Sequence, residues 1–169
     1  MSMEKFAFVL INVLGGIAVL GSYLLWLSNP MHDASLLWGS IAGMARMAYV
    51  VSMLAAAAGY FAFTPWILRL DPTQTSFAAI NLCFALILFP SAMWMPLTYE
   101  YLAVPDAWRW WAMRGTLMVV GLASLALIWL IARVTPAPRG KSAAIAGAVF
   151  FTLQTLALDA LIWPRYFPQ

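Results

Sequence analysis

Two carboxylates and one guanidinium are the groups in this sequence best placed to do chemistry in apolar surroundings. Asp159 sits inside TLQTLALDALIW (152–163), Glu100 near the end of FPSAMWMPLTYEY (89–101), and Arg114 shortly after a run of tryptophans. An ionised side chain in such a setting is costly unless it is paired, hydrated or put to use. Two carboxylates could act as general acid and base. A carboxylate with an arginine could hold a polar ligand group, or simply tie two helices together. Other familiar chemistry is missing. His32 is the only histidine and Cys83 the only cysteine, so this chain alone offers no histidine pair for haem, no zinc tetrad and no internal disulfide. No Ser-His-Asp set, phosphate loop or dinucleotide fingerprint occurs, and the close pairs Met44/Met47 and Met93/Met95 read as soft core filling.

The elements that must position these groups follow from composition. Of 169 residues, 64% are hydrophobic and 9% charged, against roughly 25% charged in an ordinary soluble domain. A chain so poor in charge cannot cover a soluble surface, so an integral membrane protein is expected. The net charge of +3 comes from basic residues scattered singly, which argues against nucleic acid as a partner. Apolar runs long enough to cross a bilayer, roughly 20 residues each, lie at about 6–27, 45–68, 77–98, 110–133 and 143–163. The expectation is an all-α, single-domain bundle of five transmembrane helices. The first run is too long for a signal peptide and should remain in the mature protein. Residues 29–43 are half apolar and fit a short interfacial helix or lid. The remaining connections, 71–76, 100–108 and 135–142, are short and predict helices packed antiparallel in sequence order.

Tryptophans support these boundaries. Trp26, Trp66, Trp129 and Trp163 fall near span ends and Trp38, Trp108, Trp110 and Trp111 near starts, the headgroup level that an indole prefers. Lys5, Arg69, Arg133, Arg139 and Lys141 share one side, Arg46, Arg109, Arg114 and Arg165 the other. The bias places the amino terminus in the cytoplasm of an inner or plasma membrane. Asp33, Glu100, Asp106 and Asp159 all belong to the opposite side.

In α-helical register Thr152, Thr155 and Asp159 share one face, which should turn inward. Asp159 and Arg114 should lie at similar depth, so Asp159 is expected either to pair with Arg114 or to open onto a wet cavity. In the third span Pro90 and Pro96 remove backbone donors and predict a kink lined by Trp94, Tyr99 and Glu100. Tyr49, with Arg46, would close that ring if the helices pack in order. Gly39 and Gly43, with Ala55–Gly59, form a small-residue face suited to close helix packing, and Asn12, Asn81 and Gln154 to hydrogen bonds between helices.

Five short-looped helices rich in tryptophan resemble the tryptophan-rich sensory protein (TspO), or translocator protein, family. Its third-helix pattern of Asn, two residues and Trp-x-Pro is similar to Ser91, Trp94 and Pro96 here. Its fifth-helix pattern of Trp followed eight residues later by Asn is matched in spacing by Phe151 and Asp159. The first helix carries Gly15 and Gly16 without the family's proline, and residues 29–43 replace its Trp/Pro-rich loop. The resemblance implies a cavity, capped by the first loop, for a tetrapyrrole or sterol-like molecule, so that a bound porphyrin or lipid is the expected cofactor. The candidate ligand-binding residues are therefore Tyr49, Ser91, Trp94, Pro96, Tyr99, Glu100, Arg114, Phe151 and Asp159.

The leading expectation is a membrane-embedded binding protein, sensor or transporter-like, for a hydrophobic small molecule. One alternative is a non-catalytic subunit of a larger membrane complex, or a homodimer. Another is a small isomerase or hydrolase acting on a lipid-like substrate, with Asp159 and Glu100 as acid and base.

Overall fold

The computed structural model describes residues 2–73 and 75–167. Helices α1 (Met3–Leu27), α2 (Gly43–Leu68), α3 (Phe77–Ala103) and α4 (Ala107–Arg133) are followed by α5 (Lys141–Thr152). The last continues directly as a ten-residue π-helix, Leu153–Ile162, and a 3-10 turn, Trp163–Tyr166. At 25 to 27 residues each, the five candidate spans reach about 38–40 Å and exceed the roughly 30 Å hydrocarbon layer. The chain is an integral membrane protein of all-α class.

Local chemistry sets the ends. Ser2, Ser76 and Asp106 cap α1, α3 and α4 by accepting from the backbone N–H of Lys5, Ala79 and Arg109, at 3.4, 3.3 and 2.7 Å. The Lys141 ammonium donates to the carbonyls of Ala132 and Val134 at 2.8 and 2.9 Å. That closes the carboxyl end of α4, where a cation also meets the negative end of the helix dipole. α3 runs unbroken through Pro90 and Pro96 and ends five residues beyond the expected boundary, so Tyr99 and Glu100 are helical and only residues 104–106 separate α3 from α4.

Asp106 lies outside the membrane spans, and the Arg109 N–H, together with the Arg109 guanidinium, holds its carboxyl below the usual aspartate range. A carboxylate with a depressed folded-state pKa adds stability above its unfolded value, near 4, and that stability is lost as pH falls through the folded value. Asparagine also caps a helix but does not titrate. Thermal unfolding in detergent should therefore drop more steeply between pH 6 and pH 3 for the wild type than for Asp106→Asn. Parallel curves would refute the cap's contribution.

The helices do not pack in sequence order. α1 lies against α3, α3 against α4, α4 against α5 and its π-helix, and α5 against α2, while α1 and α2 scarcely touch. The bundle is thus an incomplete ring, 1-3-4-5-2, with a seam between its first two helices. Loop brevity constrains which neighbours can be antiparallel but not which faces fit, and here glycines decide the fit. An added Cβ at Gly15 would come within 2.6 Å of Leu88 on α3, and one at Gly59 within 2.3 Å of the Gly147 carbonyl oxygen on α5. Gly39 and Gly43 are not a helix-packing pair. Their φ values of 52° and 56° are left-handed, so they shape the turn into α2. At Gly39 a Cβ would also meet the Tyr166 carbonyl oxygen at 2.4 Å.

Two large cores fill the bundle, beside a small one of Leu37, Met95 and Tyr99 under residues 29–42. The one nearer the amino-terminal end of α1 contains Phe8, Phe63, Phe77 and Phe84, and the one at the other end contains Tyr49, Tyr101, Trp110, Met113 and Trp163. Most of the tryptophans lie near helix ends, but direction splits. Trp108, Trp111 and Trp129 are exposed, whereas Trp66, Trp110 and Trp163 turn inward and are buried.

Candidate functional site

The groups around Asp159 assemble at the end of the bundle that holds the second core. The π-helix explains its surroundings. Hydrogen bonding from i to i+5 stacks residues five apart, and Gln154 and Asp159 have that spacing. The Gln154 Nε2 donates to the Asp159 carboxylate at 2.6 Å. One local cause of the wide turn is Thr155, whose hydroxyl donates to the Phe151 carbonyl four residues back at 2.9 Å, a bond that loosens helical geometry. Pro164, which has no N–H to offer, then starts the closing 3-10 turn.

This change of register separates residues that α-helical spacing would align. Thr155 is buried against α4, its hydroxyl 3.0 Å from that of Ser124. Asp159, half-buried, lies instead within electrostatic range of the phenols of Tyr23 on α1 and Tyr49 on α2. Tyr49 donates its hydroxyl to the Leu158 carbonyl at 3.3 Å, and Tyr23 accepts from the Trp94 indole at 3.0 Å. Trp94 meets Tyr23 and Trp163 edge to face, with centroids 6.1 and 5.8 Å apart. Tyr23, Tyr49, Trp94, Gln154, Asp159 and Trp163 thus form one aromatic and polar cluster bordering the α1–α2 seam.

Residues 29–42 cover this end of the bundle as the expected lid. Asp33 caps the short 3-10 helix Ala34–Trp38, accepting from the Ser35 N–H at 2.8 Å and its hydroxyl at 2.7 Å, which holds the Asp33 carboxyl below its ordinary range. The Trp163 indole donates to the Leu37 carbonyl at 2.9 Å, and the Ser40 N–H to the Tyr166 carbonyl at 3.0 Å. His32 stacks on Trp26 and Tyr99, with centroids 4.6 and 4.5 Å away. The Arg46 guanidinium lies 4.6 Å over Trp38, pinning the lid from α2. Trp163→Phe keeps most of the ring packing but removes the indole donor. A net hydrogen bond of about 1 kcal/mol then predicts roughly fivefold faster amide exchange across 34–40. Unchanged exchange there would show that other contacts hold the lid.

Several sequence expectations are corrected. Arg114 forms no ion pair with Asp159; its guanidinium lies over Trp110 and Trp111, 5.6 and 5.3 Å from their centroids, on its own helix. Among the described residues the one salt bridge is Arg109 with Asp106. Phe151 is away from the cluster, packed edge to face on Phe63 at 5.7 Å in the other core. Glu100 is exposed on α3 and is not among the groups acting on Asp159. Tyr99 is buried, but beneath His32 and the lid. Ser91 and Pro96 are half-buried on α3 and make none of the cluster's hydrogen bonds. Gln154 bonds within its own helix, whereas Asn81 does bridge helices, donating to the Glu4 carbonyl at 3.1 Å. Sequence reading missed Tyr23, Gln154 and Trp163 as site residues. The Gln154–Asp159 spacing of five was visible, but it carries meaning only once a π turn is allowed.

A shallow apolar groove of about 440 Å³ runs between α2 and α5, lined by Met47, Val51, Ala55 and Phe150 among others, and does not include Asp159. No known family model, curated protein or solved structure matches the chain.

Proposed function

We propose that this protein is a membrane-embedded binding protein for a hydrophobic small molecule, with the cluster around Asp159 as its site and residues 29–42 as its lid. The observation that supports this most is convergence. Side chains from α1, α2, α3 and the π-helix gather near one carboxylate inside an otherwise apolar bundle: Gln154 bonds Asp159, Tyr49 bonds the adjoining Leu158 carbonyl, and Trp94 bonds Tyr23. Intramembrane ionisable residues are expensive and are retained chiefly where they act. Flat aromatic walls supply contact area to an apolar ligand, while a few polar groups set its orientation. The resemblance to the TspO family favours tetrapyrroles or sterol-like lipids as candidate ligands and a sensing or transport-like role. With the amino terminus cytoplasmic, the site opens on the non-cytoplasmic leaflet. An enzyme using Asp159 and Glu100 together is disfavoured, because Glu100 is exposed and does not act on Asp159.

The test is titration of the detergent-purified chain with protoporphyrin IX and, separately, cholesterol, following tryptophan fluorescence. Saturable quenching by one of them is expected, weakened about tenfold or more in Trp94→Phe and in Asp159→Ala. Quenching that never saturates, or that is identical in both variants, would overturn the reading.

A further inference from the structure

The arrangement around Asp159 also says what sign of charge a ligand should carry. All nine Lys and Arg residues lie within the described residues, yet none forms an ion pair with Asp159. The nearest candidate from sequence, Arg114, is turned onto Trp110 and Trp111. The one direct hydrogen bond to the carboxylate, from Gln154, spends the amide's donor end. Its acceptor end, Oε1, is left buried without a partner on a residue only 4% exposed. The site therefore offers a carboxylate and the unpartnered Gln154 Oε1, with the Tyr23 O–H as its one free donor among the described residues. A buried acceptor left empty is unfavourable, and a carboxylate in low dielectric attracts a cation strongly. The neighbouring rings of Tyr23, Tyr49 and Trp94 present π faces and edges of the kind that hold organic cations.

We propose that the site accepts a hydrophobic organic cation, an aryl- or alkyl-substituted ammonium, whose charge lies at Asp159 and whose apolar body lies between α1 and α2. This rests on the binding reading above and narrows it to cations, which sets aside its dicarboxylate tetrapyrroles as ligands. The seam gives the route. Tyr49, bonded to the Leu158 carbonyl next to Asp159, and Tyr23, bonded to Trp94, come from the two helices that scarcely touch. Deeper in the bundle those helices are linked by the Tyr60 hydroxyl, which donates to the Asn12 side-chain carbonyl at 2.5 Å. An amphiphilic cation dissolved in one leaflet can approach sideways between α1 and α2 with its charge at the level of Asp159. A primary or secondary ammonium would also satisfy Gln154 Oε1, which a quaternary cation would not.

Charge sign can be isolated with two ions of the same shape, tetraphenylphosphonium and tetraphenylborate, bound to the full chain in dodecyl maltoside. Equilibrium dialysis, corrected with empty micelles, measures both. The wild type should bind the phosphonium at least tenfold more tightly than the borate. Asp159→Asn, which keeps the size of the side chain and removes its charge, should abolish that preference while circular dichroism and the thermal midpoint stay close to wild type. Tyr23→Leu, which strips one ring from the seam, should weaken the phosphonium with less effect on the ratio. If the wild type binds the borate as well as the phosphonium, or the Asp159→Asn preference is unchanged, the cation assignment is wrong while a general hydrophobic binder stands. If neither ion, nor protoporphyrin IX, nor cholesterol binds saturably, both fall.

Discussion

Gly147→Leu should prevent the native bundle from forming, and Gly147→Ala should already cost several degrees of thermal midpoint. At this crossing α2 and α5 meet backbone to backbone. A Cβ on Gly147 would sit 2.7 Å from the Gly59 carbonyl oxygen, and one on Gly59 only 2.3 Å from that of Gly147. Overpacking typically costs about 1–3 kcal/mol because side chains can shift, but here the obstructing atoms are peptide groups inside two helices. Relief requires the helices to part, which would disturb the Tyr49–Leu158 contact two turns or more away along the same interface. For the leucine variant a loss of about 3 kcal/mol or more is therefore expected, read as loss of a cooperative unfolding transition in dodecyl maltoside. Gly16, Gly21 and Gly115 have no atom within 4 Å of an added Cβ. Alanine at those three positions should be neutral or slightly stabilising, since glycine within a helix costs about 0.5–1 kcal/mol relative to alanine. If Gly147→Leu unfolds at the wild-type temperature, the α2–α5 packing described above is wrong.

Phe84→Ala should be the most damaging truncation in the amino-terminal core. Phe84 is fully buried and touches three rings from two other helices, with centroids 4.7 Å to Phe8, 6.0 Å to Tyr60 and 6.0 Å to Phe63. In a soluble protein such a change costs about 3–5 kcal/mol, part of it transfer from water. Separated helices in a bilayer are surrounded by acyl chains as apolar as the core, so most of that transfer contribution disappears. What remains is lost packing: a residual cavity on the order of 100 Å³ at about 24 cal/mol per Å³ gives roughly 2 kcal/mol. The edge-to-face ring contacts add about 0.5–1.5 kcal/mol each where they are lost. With the two edge-to-face partners, Phe8 and Phe63, equilibrium unfolding in mixed detergent micelles should show a loss of roughly 3–5 kcal/mol. A change under about 0.5 kcal/mol, the range of an ordinary surface substitution, would show that these rings do not form a common core.

Class and spans were legible in the sequence for a simple reason: the thickness of the hydrocarbon layer imposes a length on each apolar run, and tryptophans mark the ends. Direction and partner were not. The indoles of Trp108 and Trp110 are two residues apart at the same depth, yet one faces outward and the other into the core, because helical phase is set by the neighbouring helix. The ring order was hidden because apolar faces in a membrane carry little periodic contrast, and the deciding features are single glycines such as Gly59 and Gly147. Asp159 was singled out, but of its two expected settings the pairing with Arg114 does not form. That pairing was argued from equal depth, and from Leu153 onward the chain is π-helical, so that Gln154, five residues back, meets the carboxylate. Glu100 is exposed and lies apart from the cluster, on the part of α3 that continues past the expected end.

The scant contact between α1 and α2 has a consequence for biosynthesis. α1 docks chiefly on α3, whose last residue is made roughly 75 residues after the end of α1, an interval of about 4–15 s at ordinary translation rates. During that time the first span must persist in the bilayer as a solitary helix beside an α2 with which it barely associates. Its mean hydropathy of 2.1 and its sparse burial, 11% of its most apolar window, suit it to inserting alone. Assembly then begins with capture rather than pairwise zippering: α3 collects the waiting helix, so Tyr23 is already held in place when the segment carrying Asp159 is made.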